Sequence, residues 1–216
     1  MNTIAAERFE LGAEQTRIVR ELAHGLVLER LGRDRLREAA RVFADRYTAQ
    51  HYRQHGNILT HAEALAWTES WWERAAASIV TLAGKIVGCS FLLLASGQGR
   101  ELRIPAGYEH AADWSHLVRN REITVWIGTK SALSADLLSG AQCNAAMLAI
   151  IQDSFNLGLG NGAEYLVSGM ETKVRRLYRV AGVATRVSGV VIDPRAPHLK
   201  IHGVTVTTSA LLALAG

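Results

Sequence analysis

The chain reads as an α/β or α+β protein, a mixed sheet covered by helices, and three observations carry that reading. Of its 216 residues, 49% are hydrophobic and 20% charged, the balance of a globular protein. Short apolar runs punctuated by glycine and proline alternate with segments of helical period. The stretch 121–182 orders as strand, helix, strand, helix, an arrangement that packs helices on a sheet. The length suits one buried core, and no linker divides it. Residues 1–24 read as a helical extension, 25–207 as the core and 208–216 as a tail.

Taken in order, Glu14 to Leu22 reads as a short polar helix and Gly25 to Leu31 as the first strand. Leu36, Ala39, Ala40, Val42, Phe43 and Tyr47 recur at helical spacing. Tyr47 to Thr60 is polar and rich in histidine, and a second helix follows in which Trp67 and Trp71 share a face. Ser78–Leu82 and Lys85–Leu94 form a hairpin about Ala83-Gly84. Ser96 to Asn120 reads as a long irregular connection. Then come a strand over Glu122–Gly128, a helix over Ala141–Leu157, a strand over Ala163–Ser168 and a helix over Lys173–Val183. Arg186–Asp193 and Leu199–Thr207 close the chain as two more strands.

Composition narrows the function. Two cysteines, Cys89 and Cys143, in apolar surroundings predict a reduced cytoplasmic protein without a disulfide framework. Glu7, Arg8 and Glu10 stand where the apolar stretch of a secretion signal would lie. The longest apolar region, Ile79 to Ala95, is interrupted by Gly84 and Lys85, so no membrane span is expected. A formal charge of +4 and a pI near 9.3 favour an acidic partner. No aromatic-interleaved basic stripe points to nucleic acid. His51, His55 and His61 lack a fixed acidic or cysteine companion, so no metal site is assigned. Neither cysteine sits in a catalytic motif, and no Gly-x-Ser-x-Gly elbow occurs.

The element order and a few local matches carry a family resemblance. Phe43-Ala44-Asp45-Arg46 follows the first long helix, Val87-Gly88-Cys89-Ser90 leads into Leu92-Leu93, and Glu122 opens the central strand. The last helix ends Leu177-Tyr178-x-x-x-Gly182. Together these resemble the GNAT acyltransferases, and within them the acyl-homoserine-lactone (autoinducer) synthases and N-acyl amino acid synthases. The resemblance implies a mixed, mostly antiparallel central sheet with a splayed strand pair. It also implies transfer of a fatty acyl group from a thioester to the amine of a small molecule. The chain departs from the autoinducer pattern at Phe91 and Val125, where arginines are expected, and at Ala39 in the first helix.

The same resemblance distributes roles. Glu122 would be the base that helps deprotonate the amine, with a solvated glutamate beside Arg119 and Arg121 as the alternative. Tyr178 would protonate the departing thiolate, or else simply pack on the sheet. Backbone N–H groups of Val125, Trp126, Ile127 and Gly128 would hold the thioester and its pantetheine arm. Phe43, Trp67, Trp71, Phe91 and Met147 would line an acyl pocket, although apolar residues at such spacing more often build ordinary core. Because Trp71 and Trp72 are neighbours on a helix, one of them is expected to leave the core.

No cofactor is expected to be permanently bound; the co-substrate is an acyl carrier protein thioester or acyl-CoA. Where CoA-dependent relatives carry a glycine-rich phosphate loop, this chain has Asp136-Leu137-Leu138-Ser139-Gly140-Ala141. A carboxylate there repels a pyrophosphate, which favours a carrier protein with its single phosphate. Lys173, Arg175, Arg176 and Arg179 would dock that acidic carrier, or form a solvated helix face. An acetyl-CoA-dependent acetyltransferase and a catalytically silent binding protein remain the alternative readings.

Overall fold

The computed structural model describes residues 11–48, 60–97, 100–101, 112–180, 182–191 and 201–207. Its elements in chain order begin with strands β1 (Arg17–Glu21) and β2 (Leu26–Arg30), then helices α1 (Leu36–Thr48) and α2 (His61–Trp71). Strands β3 (Ala75–Leu82), β4 (Lys85–Gly97) and β5 (Arg100–Glu101) precede helix α3 (Ala112–Arg119). Strand β6 (Val125–Leu133), helix α4 (Gly140–Gly160), strand β7 (Tyr165–Glu171) and helix α5 (Thr172–Val180) follow. Strands β8 (Arg186–Val191) and β9 (Ile201–Thr207) complete the described chain. The main path of the sheet runs β1-β2-β3-β4-β6-β7-β9-β8, with β5 on β4. Every pairing is antiparallel except β6 with β7, the pair joined through α4. The result is the mixed, mostly antiparallel sheet expected from the sequence.

Strand alternation divides the core between the two sheet faces. Cys89, Phe91 and Leu93 point to one side, against α1 and α2. Leu92 and Leu94 point to the other, with Trp126 and residues of α4 and α5. Leu26, Leu28, Val80 and Val87 also meet α4. Helix α3 covers Ala95, Val125, Ile127 and Val167 on the α1/α2 side through Trp114. A buried polar group interrupts the α4 side. The Asp153 carboxylate accepts from Arg30 Nη2 at 2.6 Å and from the Ser78 hydroxyl at 2.5 Å. All three are buried, and the group fastens the middle of α4 to β2 and β3. Burial pushes the Asp153 carboxyl pKa up, against the opposing pull of Arg30 and Ser78.

Several boundaries differ from expectation for local reasons. Residues 17–21 form a strand, not a helix: Ile18 and Val19 are β-branched, and the segment pairs antiparallel with β2. The stretch 96–120 contains β5 and α3, the latter anchored by fully buried Trp114. The hairpin between β3 and β4 turns at Ala83 and Gly84, both at positive φ, the conformation that matches strand twist. The central strand begins at Val125, because the Asn120 side chain accepts from the Glu122 N–H at 3.1 Å and holds a turn there.

Candidate active site

Two strands that run side by side and then part create a fork in the sheet. Val125 to Gly128 of β6 pair in parallel with Tyr165 to Ser168 of β7. Glu164 fastens the closed end, its N–H donating to Thr124 O at 2.9 Å and its carboxylate accepting from the Thr124 N–H at 3.0 Å. Beyond Gly128 and Ser168 both strands continue, but apart: β6 stays with β4 as far as Leu133, and β7 stays with β9 as far as Glu171. At the parting point the Ser168 hydroxyl donates to Gly128 O at 2.8 Å.

The parting coincides with a β-bulge. Cys89 faces Ala132 and Phe91 faces Thr129, so the single residue Ser90 stands opposite both Lys130 and Ser131. An extra residue bends a strand and leaves backbone groups out of the ladder. The segment Val125–Gly128, expected from the sequence to present free N–H groups, pairs with β4 on one side and β7 on the other. Among the described residues, the edge of β6 without a strand partner begins at Thr129. Gly128 marks the junction. A Cβ built there would meet Ser168 only at 3.5 Å, an ordinary contact, so crowding does not demand glycine.

Helix α4 begins past the fork. Ser139 caps it, accepting from the Gln142 N–H while the Gln142 side chain reaches back to the Ser139 N–H, the capping-box exchange. Ser139 thus has a structural duty at the start of the helix. Asp136 is exposed in the preceding turn. The helix ends at Asn161, and Gly162 takes a left-handed φ of 72° suited to leaving a helix.

Tyr178 of α5 lies on the α4 side, its ring edge-on to Phe155 at 5.6 Å between centroids. It packs against the cluster that contains Trp126, Leu166 and Met170. Burial raises its phenol pKa above the ordinary value, which keeps the proton on the oxygen. Among the described residues its hydroxyl has no hydrogen-bond partner. Glu122, by contrast, sits in the exposed turn before β6, at the closed end of the fork. The structure thus corrects its expected place as the opening residue of the strand.

The five residues expected to share one acyl pocket do not. Phe43, Trp67 and Phe91 pack edge-on at 5.6–6.0 Å on the α1/α2 side. Trp71 borders the same cluster, with the Arg74 guanidinium 4.7 Å from its ring centroid. Met147 packs on the α4 side. The sheet separates it from the other four, because neighbouring residues of a strand project to opposite faces. Trp72 is the tryptophan that enters the core and Trp71 the one that stays partly exposed. Trp126 lies buried with Met147, and its indole N–H has no partner among the described residues.

Of the basic cluster, Arg176 and Arg179 are exposed and Arg175 is half-buried, its Nε enclosed without a hydrogen bond among the described residues. The Lys173 side chain lies outside the described residues. Val180 at the end of α5, and Arg186 and Val187 in β8, are also exposed. His51 and His55 lie outside the described residues. His61 meets Asp45 at 2.6 Å. Among the described residues no group of three or more metal-ligating side chains converges, and no helix is long and apolar enough to cross a membrane. Cys89 is buried and its thiol pKa is pushed up to about 12 by that burial, which makes it unreactive.

The residues the sequence reading passed over are serines. Ser90, Ser131 and Ser168 all stand around the fork; Ser90 is buried in an otherwise apolar strand, Ser168 is half-buried and Ser131 is exposed. A hydroxyl inside an apolar strand was the available signal.

Comparison with known proteins supports the fold. No family model matches the chain, and no curated protein matches it by sequence. Solved structures do match. FeeM, an N-acyl amino acid synthase from uncultured soil microbes, is similar over 90% of this chain and 90% of its own, with a TM-score of 0.61 at 13% identity. The AHL synthase LasI is similar over 92% and 96%, with a TM-score of 0.56 at 11% identity. The aminoglycoside acetyltransferase AAC(6')-Ib, solved with coenzyme A, is similar over 88% and 99%, with a TM-score of 0.51 at 16% identity. The chain has the GNAT-type fold these proteins share.

Proposed function

We propose that this chain is an N-acyltransferase, moving an acyl group from a thioester donor to the amine of a small molecule. The observation that carries the reading is the fork: β6 and β7 stop pairing at Gly128 and Ser168 although both strands continue, and a bulge lies at the same level. An unpaired strand edge offers N–H groups to a carbonyl in surroundings where hydrogen bonds are strong. Polarising the thioester carbonyl by fixed backbone donors requires no reorganisation during reaction. The donors would come from Thr129 onward. The similarity to FeeM, LasI and AAC(6')-Ib agrees with this reaction type.

Tyr178 is the candidate acid for the departing thiolate on position, since burial keeps its phenol protonated, although the same burial makes it a weaker donor than an exposed tyrosine. Glu122 stands in a turn at the other end of β6, separated from Thr129 by the paired segment Val125–Gly128 and so beyond the reach of one bridging water; the amine's base is not assigned to it. The preferred donor is a fatty acyl group on an acyl carrier protein, with acyl-CoA second. Three features support that order: exposed Asp136, the capping duty of Ser139, and exposed Arg176 and Arg179 opposite an acidic partner. The acyl chain lies on the α4 side, past Met147 and Tyr178, and Phe43, Trp67 and Phe91 serve as core.

Measuring acyl transfer to amines from a carrier-bound and a CoA-bound thioester of the same chain length tests this. The reading expects turnover with the carrier-bound donor and weaker turnover with the CoA thioester. Equal absence of transfer from both, with a folded protein, would leave a fold used for binding alone.

A further inference from the structure

Ser90 is 6% exposed and projects to the α4 side of β4, between Gly88 and Leu92 in the strand's alternation. A buried hydroxyl is costly unless it is hydrogen-bonded. The partner of Ser90 is the hydroxyl of Ser131, at 2.8 Å. Ser131 is exposed, so water could satisfy it; Ser90 is the member that needs the bond. The pair bridges the position where one residue of β4 faces two of β6. A bulge of this kind has alternatives, since the extra residue can slide along the strand. A side-chain bond from the opposed residue to one particular member of the bulge selects one register.

The base of the bond is firm. Arg30 is in register with Ser78, and Ser78 with Ser90. A polar row therefore crosses β2, β3 and β4 and reaches the bulge at Ser131. Asp153 of α4 fastens the Arg30 and Ser78 end from above. On the other side of the opening, Ser168 holds Gly128 O. Hydroxyls therefore bracket the segment 128–131 from both neighbouring strands.

We propose that Ser90 and Ser131 form a clamp that fixes the register of the β6 bulge and so aims the unpaired β6 amides at the thioester carbonyl. Both are positioning residues for the acyl transfer proposed above, and the inference rests on that reading for its chemical consequence. The clamp itself is a statement about register and can be measured without any substrate.

The test compares wild type with Ser131→Ala, Ser131→Thr and Ser90→Ala, by amide exchange at residues 129–132 and by steady-state kinetics. Ser131 is exposed, so its variants keep the fold, and unchanged exchange elsewhere in the sheet verifies this. With the clamp, both alanine variants exchange the 129–132 amides on the order of tenfold faster, and Ser131→Thr behaves as wild type. In the same variants kcat falls on the order of tenfold while KM for the amine stays constant, the cost of slight misplacement of reacting groups. Unchanged exchange in both alanine variants would overturn the clamp. Faster exchange with unchanged kcat would overturn its positioning role. A wild type that transfers no acyl group would remove the acyl-transfer reading, and the exchange comparison would then decide the clamp by itself.

Discussion

Tyr178 shows how a single side chain acquires a chemical disposition from packing. Its ring is held against Phe155, and burial favours the neutral phenol over the phenolate. The folded pKa therefore lies above the ordinary value near ~10. Folded protein binds this proton more tightly than the unfolded chain does. The corresponding stabilisation is fully present below the unfolded pKa and is lost as pH rises through the folded one. Spectrophotometric titration should show one late tyrosine that disappears in Tyr178→Phe. If Tyr178 is the acid, that variant also loses kcat on the order of 10²-fold, with folding retained. Asp153 offers a stability counterpart. Removing one partner of a buried ion pair strands the other, so Asp153→Ala should destabilise the protein by about 3–5 kcal/mol in urea unfolding. At this scale the sequence pattern singled out Tyr178 as a candidate, because Leu-Tyr-x-x-x-Gly is local. Ser90 and Ser131 escaped it, because they are 41 positions apart and only strand register brings them together.

At the scale of elements, the fork, α4 and α5 divide the proposed work. The fork exposes amides, α4 spans the crossover between its two strands, and α5 brings both Tyr178 and the exposed arginines. If an acidic carrier docks on α5, the double variant Arg176→Glu and Arg179→Glu should raise KM for a carrier-bound donor at least tenfold. Its effect on a free pantetheine thioester should be slight, and the contrast in KM would check the docking. Existence and order of the central elements were legible, since strand–helix–strand periodicity is strong from 121 to 182. Boundaries were less so. Glu122 was read as strand because its neighbours are apolar, whereas the Asn120 side chain holds it in a turn. Residues 17–21 were read as helix, because a polar, exposed edge strand lacks the apolar alternation that identifies a strand. The acyl pocket was misread for a geometric reason: composition cannot tell which sheet face an aromatic residue takes, and the described strands put Phe91 and Leu92 on opposite sides.

At the scale of the molecule, the described chain is a twisted sheet interrupted once by a fork, with helices on both faces. The two faces have unequal parts in the proposed reaction. The α1/α2 face is filled by the mutually packed Phe43, Trp67 and Phe91, whereas the α4/α5 face carries Tyr178, Trp126 and the serine row. Substitutions on the first face should therefore act on stability. Phe43→Ala should cost about 3–5 kcal/mol in thermal or urea unfolding. Among molecules that remain folded, its acyl-donor preference should not change. The central claim is that the fork receives a thioester carbonyl and delivers its acyl group to an amine. The most direct measurement is mass spectrometry of products formed by purified protein from acyl carrier protein thioesters and a panel of small amines. The account predicts an N-acylated amine, with free carrier released in equal amount and formation slowed by Tyr178→Phe. Unconsumed thioester across donors and amines, with wild-type protein shown to be folded, would contradict it.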